Sequence, residues 1–187
     1  MGVFKMKIDT YRIIEDADYC EEVFNYFLKI KKIKENKLKL FKKHIDKSLS
    51  NLEFANFILE EHDYSIKEKL PNKTFYDWCI VIYYYAIYHA ASALVAKAGL
   101  ETSSHLGTIT AITLIFYHKS NILQRDEVEF LIDKIFLNKE DIDLVMNSKE
   151  LRENASYHPD ALFELRQATE LKTQAVEFIG KVRGLIE

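Results

Sequence analysis

Chain breakers are scarce in this sequence: 2 prolines and 5 glycines in 187 residues. So few leave little material for the turns of an all-β protein and favour long helices. Cysteine is equally rare. Cys20 and Cys79 are too few for a disulfide framework and lack metal-ligand spacing, which suits a reducing cytoplasm. No His/Asp/Glu cluster has convincing metal spacing, and no Gly-rich phosphate loop, internal repeat or strand-like alternation occurs. Neither a metal nor another cofactor is expected. Residues 1–9 lack an apolar run of signal-peptide length, so secretion is not expected. Excess positive charge is missing too: the net charge of −3 is no nucleic-acid footprint by itself.

What the chain has in quantity is helical periodicity. With 48% hydrophobic and 29% charged residues, it is ordinary globular material, long enough to bury a core. Apolar residues recur at three- and four-residue spacing over residues 11–32, where Asp16 and Asp18 are either exposed charges or an N-cap. A second pattern spans 37–64, with Leu40, Phe41, His44, Leu49, Leu52, Phe54, Ala55, Phe57, Ile58 and Leu59 expected inward. Pro71-Asn72 reads as a linker. Helices are further expected over 75–97, 104–118, 126–137, 139–156 and from Pro159 to about Leu185. The fold class is therefore all-α, a bundle of five to seven helices.

Two stretches stand out by composition. Nine lysines fall between Lys29 and Lys47, against Glu35 and Asp46. They make either a solvated helix face or an electrostatic landing strip for phosphates or an acidic partner. From Trp78 to Ala96 there is no Asp, Glu, Lys or Arg. That length reaches the threshold of a membrane span. Tyrosines, His89 and Ser92 lie mid-depth, however, and no other segment resembles it. The central helix of a bundle is expected instead, with no membrane involved. The small residues of Ala90–Ala93 let neighbouring helices approach, and Gly99 suits a C-terminal cap. Tyr83, Tyr84, Tyr85 and Tyr88 are expected in the core or at a subunit seam, with base stacking as the other use. His89 is either a hydrogen-bonded core histidine or a group supporting a nearby cleft. Ser104 with His105 is either a capping pair or a phosphate ligand.

The chemistry is expected in Leu151–Asp160, L-R-E-N-A-S-Y-H-P-D. Pro159 fixes φ and lacks an N–H, so it belongs at the first position of a helix, with His158 as N-cap. On one continuous helix, residues six apart face different ways; the break lets His158 fold back toward Arg152. His158 could then take a proton from a ribose 2′-OH, and Arg152 could stabilise the phosphorane formed at the adjacent phosphate. The departing 5′-oxygen needs an acid, which a second copy of the corner would supply. The same residue types also make an arginine–acid pair at one helix end and a histidine cap at the next.

Three stretches, in order, resemble the HEPN superfamily of helical-bundle proteins, in particular prokaryotic members found beside a minimal nucleotidyltransferase. Tyr83–Leu100 is similar to the family's YYAxFHAARALLxxKG helix, Thr102–Ile109 to K-T-H-x-G-V-I, and Leu151–Tyr157 to L-R-x-x-A-D-Y. The resemblance covers about residues 38–186. It implies an up-and-down bundle over 37–187; residues 1–36 lie outside the resemblance and are expected to be a helical extension packed on that bundle. It further implies a homodimer, Arg152 and His158 as the catalytic pair, and metal-independent cleavage of RNA. In paired systems the activity is that of a toxin restrained by the nucleotidyltransferase. Asn154, Tyr157, His89, Ser104 and His105 are the supporting candidates. The sequence departs from the pattern at Glu153, beside the arginine, and at Ala91-Ser92, where Ala-Arg is usual. The alternative is a non-catalytic binding module that holds a nucleotide or a nucleotidyltransferase partner.

Overall fold

The computed structural model describes residues 8–36, 38, 40–71, 73–134 and 165–186. The helix expected over 139–156, the start of the last helix at Pro159, and Arg152, Asn154, Tyr157 and His158 lie outside the described residues.

The first helical pattern divides in two. A short α1 (Arg12–Glu15) stops at Asp16, whose extended backbone starts α2 (Ala17–Lys29). The Asp16 carboxylate accepts from the Tyr19 N–H at 2.9 Å, so its role is the N-cap. α2 ends at Lys29 rather than residue 32. Lys31 N–H donates to the Leu28 carbonyl and Lys32 N–H to that of Phe27, with Lys31 left-handed at φ 59°.

The next pattern forms α3 (Phe41–Glu61), which runs on through a π-helical turn, His62–Ile66, into α4 (Lys67–Lys69). Its inward stripe is Ile45, Ser48, Leu52, Ala55, Leu59 and His62, at alternating three- and four-residue steps. Phe54 and Phe57, expected inside, are 54% and 59% exposed. They fall off that stripe. Phe54 and Ile58 instead line an apolar groove of about 430 Å³ with Ile66, Leu70, Trp78 and Ile82.

Helix α5 (Tyr76–Lys97) is the central element. It packs against α3, against the helix that follows it (α6, His105–Ile112) and against the last helix (α8, Leu165–Ile186). It is long and apolar enough to cross a membrane, but 72% of its most apolar window is buried inside the protein. Its apolar surface is thus taken up by its neighbours, as in the middle helix of a helical domain. Ala86, Ala90 and Ala93 are fully buried, and at Ala86 the small side chain lets α3 approach the α5 backbone closely enough for Ser48 Oγ to donate to the Ala86 carbonyl at 2.7 Å. Gly99, at φ 77°, ends the helix.

After α5 comes a feature the periodicity does not announce. Ile33–Glu35 (β1) and Leu100–Thr102 (β2) pair antiparallel, with Lys34 opposite Glu101. Three-residue strands are too short to show alternation. Asn36 N–H to the Gly99 carbonyl and Ser103 N–H to the Lys32 carbonyl extend the ribbon at either end. It ties the α2–α3 connection to the α5–α6 connection.

Ser104 caps α6 (His105–Ile112), accepting from the Gly107 N–H at 3.1 Å. A Cβ at Gly107 would sit 2.9 Å from Ser104 Oγ and 3.5 Å from the Lys32 carbonyl oxygen, which is why glycine stands there. The helix continues with π geometry over Thr113–Lys119. α7 covers 125–134 and α8 Leu165–Ile186. Ile13, Val23 and Phe27 share one core with Tyr83, Ile87, Leu94, Ile109, Val128 and Ile179, so α1 and α2 are integral to the packing. The molecule is an all-α bundle with one small ribbon among its described residues.

Candidate functional site

The ribbon brings part of the lysine-rich stretch to a definite place. A cavity of about 310 Å³ opens where β1 and β2 meet the start of α3. Lys31, Lys32, Lys34, His44 and Ser103 line it, with Glu101 as the one carboxylate among the lining residues. Glu101 Oε2 accepts from Asn36 Nδ2 at 3.1 Å. None of the three lysines is ion-paired among the described residues.

His44 connects this cavity to a strip of rings. Its ring centroid lies 5.9 Å from that of His89, and His89 lies 6.0 Å from Tyr88. Tyr88 in turn lies 4.7 Å from His105 and stacks with Tyr84 at 6.3 Å. Tyr84 OH is 3.2 Å from His105 Nδ1. Burial holds His44 below the usual imidazole range. Burial also lowers His89, helped by the positive charges of His44 and Lys47.

The expected site residues divide accordingly. His89 is half-buried, and its Nδ1 has no hydrogen-bond partner among the described residues. Ser104 is a helix cap, and His105 joins the Tyr84 and Tyr88 rings rather than acting with Ser104 alone. Tyr83 is fully buried and donates to Asn56 Oδ1 at 2.8 Å, which makes it core. Tyr85 and Tyr88 are half-buried. His62 is buried and tied to Tyr76, with Nδ1 3.0 Å from the phenol oxygen and the rings stacked at 4.2 Å. Ser92 hydrogen-bonds its own helix at the Tyr88 carbonyl. Arg152, Asn154, Tyr157 and His158 lie outside the described residues.

The HEPN domain family model matches residues 41–185. That is well over half of the chain, and it runs from the first residue of α3 almost to the end of α8. The chain belongs to the HEPN family. No curated protein matches it. The HEPN match takes in Arg152 and His158 and excludes α1, α2 and β1. The cavity is thus composite: Lys31, Lys32 and Lys34 come from outside the matched domain, His44 and Ser103 from inside it. The lysine run announced its charge in the sequence. The ribbon that gathers three of those lysines against α3 and β2 had no sequence signal.

Proposed function

We propose that this HEPN protein is a metal-independent endoribonuclease whose working form is a homodimer. The observation that carries the reading is the family match itself. It runs through an arginine and a histidine with five residues between them, Arg152 and His158, with Pro159 directly after the histidine. His158 of one copy takes the proton of a ribose 2′-OH, and the freed oxygen attacks the adjacent phosphorus. Arg152 stabilises the negative charge of the phosphorane by paired hydrogen bonds. The second copy's His158, protonated, gives its proton to the departing 5′-oxygen. The products are a 2′,3′-cyclic phosphate and a 5′-hydroxyl, and no metal ion takes part. Asn154 and Tyr157 support the corner. We assign the enzyme to the cytoplasm as the toxin-like half of a pair, restrained by a minimal nucleotidyltransferase.

The test is chemical. An RNA oligonucleotide incubated with the protein in EDTA is expected to yield cyclic-phosphate ends. The same oligonucleotide with 2′-deoxyribose at the cleaved position is expected to resist. Cleavage of both would eliminate the 2′-OH mechanism.

A second reading rests on Glu153. A carboxylate next to Arg152 opposes anion binding at the guanidinium. On that reading the protein is a non-catalytic dimeric module that holds a nucleotide or its nucleotidyltransferase partner. It predicts no cleavage of either oligonucleotide, and co-purification with that partner.

A further inference from the structure

The corner between the ribbon and α3 concentrates positive charge beyond what the fold uses. Lys31, Lys32 and Lys34 come from four consecutive positions around a helix stop and a strand, face one concavity, and meet a single carboxylate there. Solvated lysines on a convex helix face spread apart; these are gathered. Lys31 stands at φ 59°, in a cap position that glycine fills without strain. A bulky residue kept in left-handed backbone at the mouth of a cavity is a local cost that the fold does not need. The backbone beneath is fixed, since Lys32 is bonded on both sides: its N–H to the Phe27 carbonyl, its carbonyl to the Ser103 N–H.

Two further features point to the ligand's chemistry. The 21-residue α3 begins at this cavity with Leu40 as its N-cap, an apolar residue that makes no side-chain cap hydrogen bond, and among the described residues no side chain is bonded to its first N–H groups. That is the positive end of a helix dipole, open to an anion. His44, one turn in, lines the same cavity and leads by ring contacts to His89, Tyr88 and His105. A cavity of about 310 Å³ is compact. It suits a single phosphate and its sugar rather than the broad surface of an acidic protein. The His44 imidazole, which lines the cavity, offers a flat face to a base.

We propose that this cavity is a phosphate-binding site, formed by Lys31, Lys32, Lys34 and the first turn of α3, for the phosphate of a nucleotide or of single-stranded RNA. The three lysines neutralise the phosphate oxygens, and the His44 end receives the attached nucleoside. The site is separate in sequence from Arg152 and His158, and its occupancy is read by binding, whether or not that corner cleaves RNA.

The experiment measures binding at low salt, in EDTA, of AMP, inorganic phosphate, a short single-stranded RNA and a poly-glutamate peptide of matched charge. The full chain is used, with His158→Ala throughout so that RNA stays intact. Lys31→Gly/Lys34→Gln is expected to weaken phosphate-bearing probes on the order of tenfold and to flatten the salt dependence of RNA binding by about 0.7 per lysine lost. Lys31→Gly suits the left-handed backbone, so thermal stability is expected not to fall. Glu101→Gln removes the opposing carboxylate and is expected to tighten the same probes, a gain that misfolding cannot imitate. A loss confined to RNA identifies a strand as the source of the phosphate; a loss for AMP identifies a nucleotide. Absence of phosphate-probe binding to the parent, equal binding by the lysine variant, or poly-glutamate bound as tightly as RNA would each overturn the proposal.

Discussion

At the residue scale, burial decides what the reactive side chains can do. Cys20 is fully buried, and burial pushes its thiol up to about 12. Cys79 is equally enclosed and is pushed up to about 11. A thiol is reactive only as thiolate and only where reagent reaches it. Neither of the 2 cysteines should therefore react with a disulfide reagent in the native protein, and both should react in denaturant. Rapid labelling without denaturant would contradict the packing of α2 and α5. Ser104 carries a different burden. Its Oγ accepts the Gly107 N–H at the start of α6, beside the Ile33 side chain and the Lys32 carbonyl. Ser104→Ala should cost about 1 kcal/mol in a denaturant titration. No loss would mean that water replaces the cap. Capping was one of the two uses the sequence offered for Ser104, because a hydroxyl residue just before an apolar run suits an N-cap.

At the scale of elements, legibility followed length and periodicity. Helices α3 and α8 were plain, since many turns of apolar spacing leave one face to bury, and α5 was plain because it is apolar all round. Phe54 and Phe57 misled because hydrophobicity alone does not choose the stripe facing α5: Phe54 lines the groove beside Trp78, and Phe57 is exposed. The β1–β2 ribbon was invisible because its three-residue strands are too short to alternate. The α3–α5 contact also has a pH signature. His44 on α3 faces His89 on α5, with Lys47 adding positive charge, and both imidazoles titrate below their ordinary value of about 6.5. The folded state thus binds fewer protons than the unfolded one. The linked stability is present above that unfolded value and is lost as pH falls below it. Denaturation midpoints should drop between pH 7.5 and 5.5, and drop less in His44→Gln/His89→Gln. An equal drop in both proteins would show that other groups carry the effect.

At the scale of the whole molecule, the HEPN bundle supplies a rigid frame in which α5 is shielded by α3, α6 and α8. Family membership was legible from three short motifs held in order. The candidate corner at Arg152 and His158 was legible only as a pattern of residue types with a proline behind it. Its geometry lies outside the described residues. The lysine cavity was the reverse case: charge visible in sequence, position set by the fold. Of the two proposals, the catalytic claim is the central one. It is tested most directly by incubating RNA in EDTA with wild type and with His158→Ala, each first shown to be folded and of the same oligomeric state. Wild type is expected to cleave, and His158→Ala to lose at least a hundredfold of that rate, as removal of a general acid–base requires. Equal cleavage by the two proteins would contradict the assignment.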